Sequence, residues 1–261
     1  MTATMKIAVA GATGRVGHHL VDVLRARGYE VVAIARSTGV DVITGQGLAE
    51  ALDGVDCIVD VATSPSPDQE EATAFFTTAS RNLHEAGQRA GVRRMVVVSI
   101  IGVDRFTSGY NAAKLAHEQA ALAGPVPVRI LRSAQFHELV PLMIGWGRQG
   151  DVSYVQEMRT QLVAASAVAE ALADLATAAD EVWSAPSTEA PIAEIGGPRE
   201  ESMVAMATLL AGRTGEPLKI EGVDNTADPD HELYTTDVTL PGPGAILAGP
   251  TFEEWLDGQR R

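Results

Sequence analysis

Residues Lys6–Ala10 read Lys-Ile-Ala-Val-Ala, an apolar run with β-branched positions, and glycines follow at once. From 16 to 27 apolar residues return at helical spacing, with Val16, Leu20, Val23 and Leu24 on one face, until Gly28 stops the pattern. Residues 30–35 are a second unbroken apolar run. Runs without polar alternation mark strands buried on both faces, as in a parallel sheet. The chain opens strand, glycine turn, helix, strand.

The alternation continues. The pattern predicts a short helix at 47–52, a strand at 55–61, and a long helix at 68–90 with Phe75, Phe76, Leu83 and Ala90 inward. A strand at Arg94–Ile100, a helix at 111–123 ended by Gly124-Pro125, and a strand at 128–131 follow. Repeated βα units predict an α/β fold: a Rossmann-like doubly wound parallel sheet with right-handed crossovers. After 132 the rhythm changes. Helices are expected at 135–146, at 166–178 with Ser166 as N-cap, at 200–213, and at 251–258 behind Thr251. A strand is expected at 191–195, and 224–250, rich in Gly, Pro, Asp and Thr, reads as extended loop. The expectation is a dinucleotide-binding core over 1–132 and a small C-terminal substrate lobe over 133–261, with elements returning to the core as one structural unit.

The glycines carry the first chemistry. Gly11-Ala12-Thr13-Gly14-Arg15-Val16-Gly17 is a G-x-x-G-x-x-G turn. Gly11 makes the tight turn out of the strand, Gly14 lets backbone approach a pyrophosphate, and Gly17 lets the helix pack closely on the strand. The helix N-terminus offers amide N–H groups to the phosphates. With 25 glycines in 261 residues the motif has about 0.2 chance occurrences, so its place between a strand and a helix is what gives it meaning. An NAD site usually places an acid some 20 residues on, for the ribose 2′-hydroxyl. Here the second strand ends Ala35-Arg36-Ser37. Arg36, with Arg15, has the planar fork that suits a 2′-phosphate, so NADP(H) is preferred over NAD(H). Asp41 and Val42 are placed at the adenine edge.

Charge and composition narrow the partners. Hydrophobic residues make up 46% and charged residues 21%, with a net charge of −14. Nucleic-acid binding by general electrostatics needs a basic surface, and an anionic membrane would repel this one. Met1 to Lys6 lacks the charged and apolar regions of a signal peptide, and no apolar run approaches the ~20 residues of a membrane span. The expectation is a cytoplasmic protein, monomer or homodimer, whose partner is a small-molecule substrate. The lone cysteine, Cys57, excludes an internal disulfide and a cysteine metal site. No H-E-x-x-H, G-x-S-x-G or P-loop is present, so no metal is expected and hydrolase and NTPase readings drop out.

Tyr110-Asn111-Ala112-Ala113-Lys114 is the second informative feature. Tyr and Lys four apart share a helix face, and an ammonium beside a phenol lowers the phenol's pKa. With four tyrosines and three lysines the spacing has about 0.05 chance occurrences. A surface helix pair is the alternative. His137 lines a pocket or caps a helix; His18 and His19 are helix-surface or phosphate-adjacent; His84, His117 and His231 are read as solvated. Met143, Trp146, Tyr154 and Met158 line an apolar cavity or belong to the core.

Together the glycine turn, the βα order and Tyr-x-x-x-Lys resemble the short-chain dehydrogenase/reductase superfamily, and the wording resembles its atypical, NmrA-like NAD(P)-binding branch. Residues 6–17 and 33–36 are similar to that family's opening, 96–104 (Val-Val-Val-Ser-Ile-Ile-Gly-Val-Asp) to its strand-end segment, 131–138 (Leu-Arg-Ser-Ala-Gln-Phe-His-Glu) to its pocket entry, and 194–217 to its tail. The resemblance implies cofactor contacts at Thr13, Val16, Ala62, Thr63 and Lys114 beside those above, a substrate pocket at Ser64, Phe136, His137 and Trp146, and a proton donor at Tyr110. The superfamily holds the substrate carbonyl with a Ser or Thr. Ser99 is present, but Ile100 stands at the second hydroxyl position. The resemblance therefore implies either a reductase of a small apolar carbonyl or quinone-like compound, or a dinucleotide sensor without catalysis. A sugar-nucleotide epimerase uses the same constellation, but the C-terminal lobe is short for it.

Overall fold

The computed structural model describes residues 4–180, 183, 192–215 and 217–259. Pro191 of the expected strand and Glu216 of the tail motif lie outside the described residues. In chain order the elements are β1 (Lys6–Ala10), α1 (Arg15–Ala26), β2 (Glu30–Ile34), α2 (Leu48–Ala51), β3 (Cys57–Asp60), α3 (Gln69–Ala90), β4 (Arg94–Ile100), α4 (Gly109–Leu122) and β5 (Val128–Ser133). Then come α5 (Val140–Trp146), β6 (Arg148–Gln149), β7 (Val152–Gln156), β8 (Arg159–Thr160), α6 (Ala165–Thr177), β9 (Ile192–Gly196), β10 (Glu201–Ser202), α7 (Met203–Thr214), β11 (Lys219–Val223), β12 (Ile246–Leu247) and α8 (Phe252–Gly258).

Seven strands form the parallel central sheet of a Rossmann-like α/β fold, in the order β12-β9-β5-β4-β3-β1-β2. β1 lies between β2 and β3, so Ala8 faces Val32 on one side and Ile58 on the other. The chain steps from β1 to β2, then returns to place β3 on β1's other edge. That reversal is the topological switch point at which ligands of open α/β sheets bind, and the glycine turn leaves β1 at this place.

The chain divides into two compact units. The first holds residues 1–99, 109–132 and 168–193. Ala8, Ile58, Met95 and Ile130 of its strands pack with Leu83, Ala86 and Ala121 of α3 and α4. The second holds 100–108, 133–167 and 194–261, with a core of Val140, Ile144, Met158, Met203, Phe252 and Leu256. The change at 132/133 lies where the sequence rhythm changes, but 100–108 falls in the second unit and 168–193 in the first.

Several expected elements are shorter or different. The helix expected over 135–146 is a 3-10 turn at His137–Leu139 followed by α5, because Pro141 is accommodated only in a helix's first turn. The helix expected from 200 begins at Met203, where Ser202 Oγ accepts from the Ala205 amide and caps it. Within 224–250 two 3-10 turns and β12 replace featureless loop. The sheet β11-β7-β6 has no counterpart in the sequence reading.

Candidate functional site

Gly11 and Gly17 each have a steric reason to be glycine. Gly11 has φ +82°, and a Cβ there would stand 2.8 Å from the backbone of Ala62. A Cβ at Gly17 would stand 2.1 Å from the Gly11 carbonyl oxygen. The Gly14 amide donates to that same oxygen at 2.9 Å, closing the turn. α3, α7 and α8 all have side-chain N-caps, from Asp68, Ser202 and Thr251. α1 has none, and its first turn holds no acid. Its leading amides, at Arg15, Val16 and Gly17, are therefore left for an anion. Thr13 and Arg15 are exposed beside them, and His18 Nδ1 bonds the Gly14 oxygen at 2.8 Å.

At the end of β2 the turn is held by Thr38. Its hydroxyl donates to the Ala33 or Ala35 oxygen, at 3.0 and 2.8 Å, and accepts from the Ala35 amide. Arg36 is exposed on this turn. Neither Arg36 nor Arg15 makes an ion pair among the described residues, in a chain of net charge −14. Asp41 Oδ1 accepts from the Ile43 and Thr44 amides, and Asn82 Nδ2 donates to the Val42 and Ile43 oxygens at 2.8 Å each. Ala62 is buried, Thr63 exposed. Ser64 helps line a cavity of about 280 Å³ with Ile43, Pro65, Glu71, Phe75 and Thr78.

α4 carries Tyr110 and Lys114. Tyr110 is half-buried, with its ring edge-on to Phe76, and burial pushes its phenol up to about 12. Lys114 is 4% exposed. Its ammonium donates to the Val98 oxygen and to His117 Nδ1, both at 2.9 Å, and lies over the Phe76 ring. This corrects one expectation. Helical spacing sets the two residues on one face, but Lys114 is committed to the interior and does not lower the Tyr110 phenol; desolvation raises it.

Further placements bear on the expected site residues. Ser99 Oγ is buried and, among the described residues, has no hydrogen-bond partner. His137 is fully buried, bonding the Pro250 oxygen through Nε2 and packing on Phe252 and Trp255, and so belongs to the second core rather than to a cavity wall. Trp146 is 71% exposed and encloses nothing. His84 and His117, read as solvated, are buried. Phe136 is partly buried and bridges to Val163. Met143 and Met158 pack in the second core.

Residues 11–124 match the NAD(P)H-binding family. The chain is 33% identical over 119 residues to a 3-diazoavenalumate denitrifying reductase of a Streptomyces species, covering 37% of this chain and 38% of that one. It is 27% identical over 111 residues to the photosystem II assembly factor Ycf39 of Synechocystis, covering 37% and 34%. The matches thus span little more than a third of those relatives' lengths. Among solved structures, MoeE5 in complex with UDP-glucose and NAD superposes with a TM-score of 0.69 at 21% identity, over 98% of this chain and 100% of that one. At that identity the likeness shows the fold alone, a Rossmann-like α/β sheet.

The matched segment contains buried polar residues that periodicity does not single out. Asp60, at the end of β3, accepts from the Ala62 amide at 2.9 Å and lies 3.2 Å from His117 Nε2. Burial opposes its ionisation, but His117, the Ala62 amide and Lys114 outweigh it and hold the carboxyl below its usual range. Tyr110, Lys114 and His117, at intervals of four and three, lie on one helical face, and Asp60 closes an apolar strand. Those were the available signals. Among the described residues no helix is long and apolar enough to cross a membrane.

Proposed function

We propose that the chain is an NADP(H)-dependent oxidoreductase that reduces a small apolar carbonyl or quinone-like compound. The observation that supports it most is the glycine turn at 11–17, where Gly11 and Gly17 leave no room for a Cβ, leading into a helix with no side-chain N-cap. In this reading Gly11, Gly14 and Gly17 admit the pyrophosphate to the α1 amides. Arg36 and Arg15, two exposed guanidiniums without ion pairs, take the 2′-phosphate in place of an acid at the end of β2. Asp41, Val42, Ala62 and Thr63 flank the adenosine half.

The bound cofactor supplies the hydride. In this reading Tyr110, a phenol that burial keeps protonated at neutral pH, supplies the proton. The test is NADPH oxidation across a panel of carbonyls and quinones, with Tyr110→Phe as control. Turnover that disappears in the variant supports the reading.

A second reading is a dinucleotide-binding sensor without catalysis, named for a regulatory partner rather than a substrate. Ile100 and the buried Ser99 hydroxyl favour it, since neither offers a donor to a substrate carbonyl. Tight NADPH binding with no turnover across the panel would select it.

A further inference from the structure

Three titratable side chains of the first unit stand in line. Asp60 on β3, and His117 and Lys114 on α4, are all buried. His117 Nε2 is 3.2 Å from Asp60 Oδ2, and His117 Nδ1 is 2.9 Å from Lys114 Nζ. An ionised carboxylate only accepts, so Asp60 draws the imidazole proton to Nε2 and leaves the Nδ1 lone pair facing Lys114. Lys114 donates one N–H to that lone pair and another to the Val98 oxygen. Phe76 closes the group, stacked on His117 with centroids 4.7 Å apart and lying 4.5 Å beneath the ammonium.

We propose that Asp60, His117 and Lys114 share one proton as a single buried unit, through which His117 sets the charge of Lys114. Two arrangements of equal net charge differ only in where that proton lies on the Nζ–Nδ1 hydrogen bond. In the first, Lys114 is an ammonium and His117 is neutral. In the second, Lys114 is a neutral amine and the imidazolium donates from both nitrogens, to Asp60 and to the amine. No buried charge is created or lost in the exchange, which avoids the desolvation cost of ionising either group alone.

Charged and titratable groups face the pair from four elements. Asp60 approaches from β3. Glu118, on α4, is tied in two hydrogen bonds to Arg132 of β5, and its charge favours the protonated forms of both Lys114 and His117. From α3 come Phe76 and His84, and burial keeps His84 neutral. β4 offers the Val98 carbonyl, and Tyr110, on α4, stays a phenol. Burial brings Lys114 down to about 8. Burial and the Lys114 charge lower His117.

Lysine carrying ¹³C at Cε tests the proposal. The chain has three lysines, Lys6, Lys114 and Lys219, so Lys6→Arg and Lys219→Arg identify the Lys114 signal without touching the cluster. The expected result is a Lys114 signal that titrates in two steps, each mirrored at the His117 ring. In His117→Gln, whose amide still accepts from Nζ but takes no proton, a single step is expected. One identical step in both proteins overturns the proposal, and so does a Lys114 signal that titrates as an ordinary lysine near about 10.4. If the variant does not fold, the wild-type titration decides alone, because a proton that is not shared leaves no mirrored steps. The measurement needs neither cofactor nor substrate, so its failure and the failure of the oxidoreductase reading are separate results.

Discussion

The Tyr110 ring meets the Phe76 ring edge-on, with centroids 5.8 Å apart and planes at 70°. The contact holds the phenol at the margin of the first unit's core, where burial keeps it protonated. Tyr110→Phe keeps that packing and removes only the hydroxyl. Turnover is expected to fall by about 10²–10⁴-fold, the usual worth of a positioned proton donor, with NADPH affinity unchanged. Steady-state kinetics beside a binding titration check both halves.

Phe76→Ala removes the surface shared by Tyr110, His117 and Lys114. Phe76 is 1% exposed, and deleting such a side chain costs about 3–5 kcal/mol. Urea unfolding of the variant measures it; a loss under about 1 kcal/mol would mean that the site collapses onto the space.

The opening β1–turn–α1–β2 was legible because local periodicity decides it: two unbroken apolar runs, one 3.6-residue stripe, and glycines where backbone needs them. Other features depend on partners distant in sequence. β7 pairs with β11, Tyr154 opposite Glu221, and nothing in either short segment announces the other. The burial of His117 depends on Asp60, 57 residues away. The spacing of Tyr110 and Lys114 was legible, but the direction of the Lys114 amine was not, since Val98 and His117 decide it.

Gly17→Ala tests the cradle. Its Cβ would fall 2.1 Å from the Gly11 oxygen, backbone against backbone, with no flexible side chain to give way. Overpacking of this kind costs about 1–3 kcal/mol. The thermal midpoint is expected to fall and dinucleotide binding to be lost even where the variant is folded. Retained binding in Gly17→Ala would contradict the role given to the turn.

Stability should fall as pH drops below about 6.5, earlier than carboxylate titration alone would bring. Burial is the leading cause that lowers His84, His117 and His137 in the folded chain. A depressed histidine binds its proton more readily when unfolded, so its contribution is present above the unfolded value and lost beneath it. Each adds a slope of about 1.4 kcal/mol per pH unit there, until its folded value is reached. Asp60, also lowered, adds its loss at more acid pH, below about 3.9. Urea midpoints measured from neutral to acid pH check the onset; a flat stability down to carboxylate pH would contradict it.

In the proposed function the turn at 11–17 and the arginines at 15 and 36 hold a phosphorylated dinucleotide. Titration of the wild-type chain with NADPH and with NADH, followed by the fluorescence of its three tryptophans, tests it most directly. NADPH is expected to bind the tighter, by about 10–100-fold for a charge-assisted contact of about 1.5–3 kcal/mol, and Arg36→Ala to erase the difference by weakening NADPH alone. Tighter binding of NADH, or binding of neither, would contradict the account.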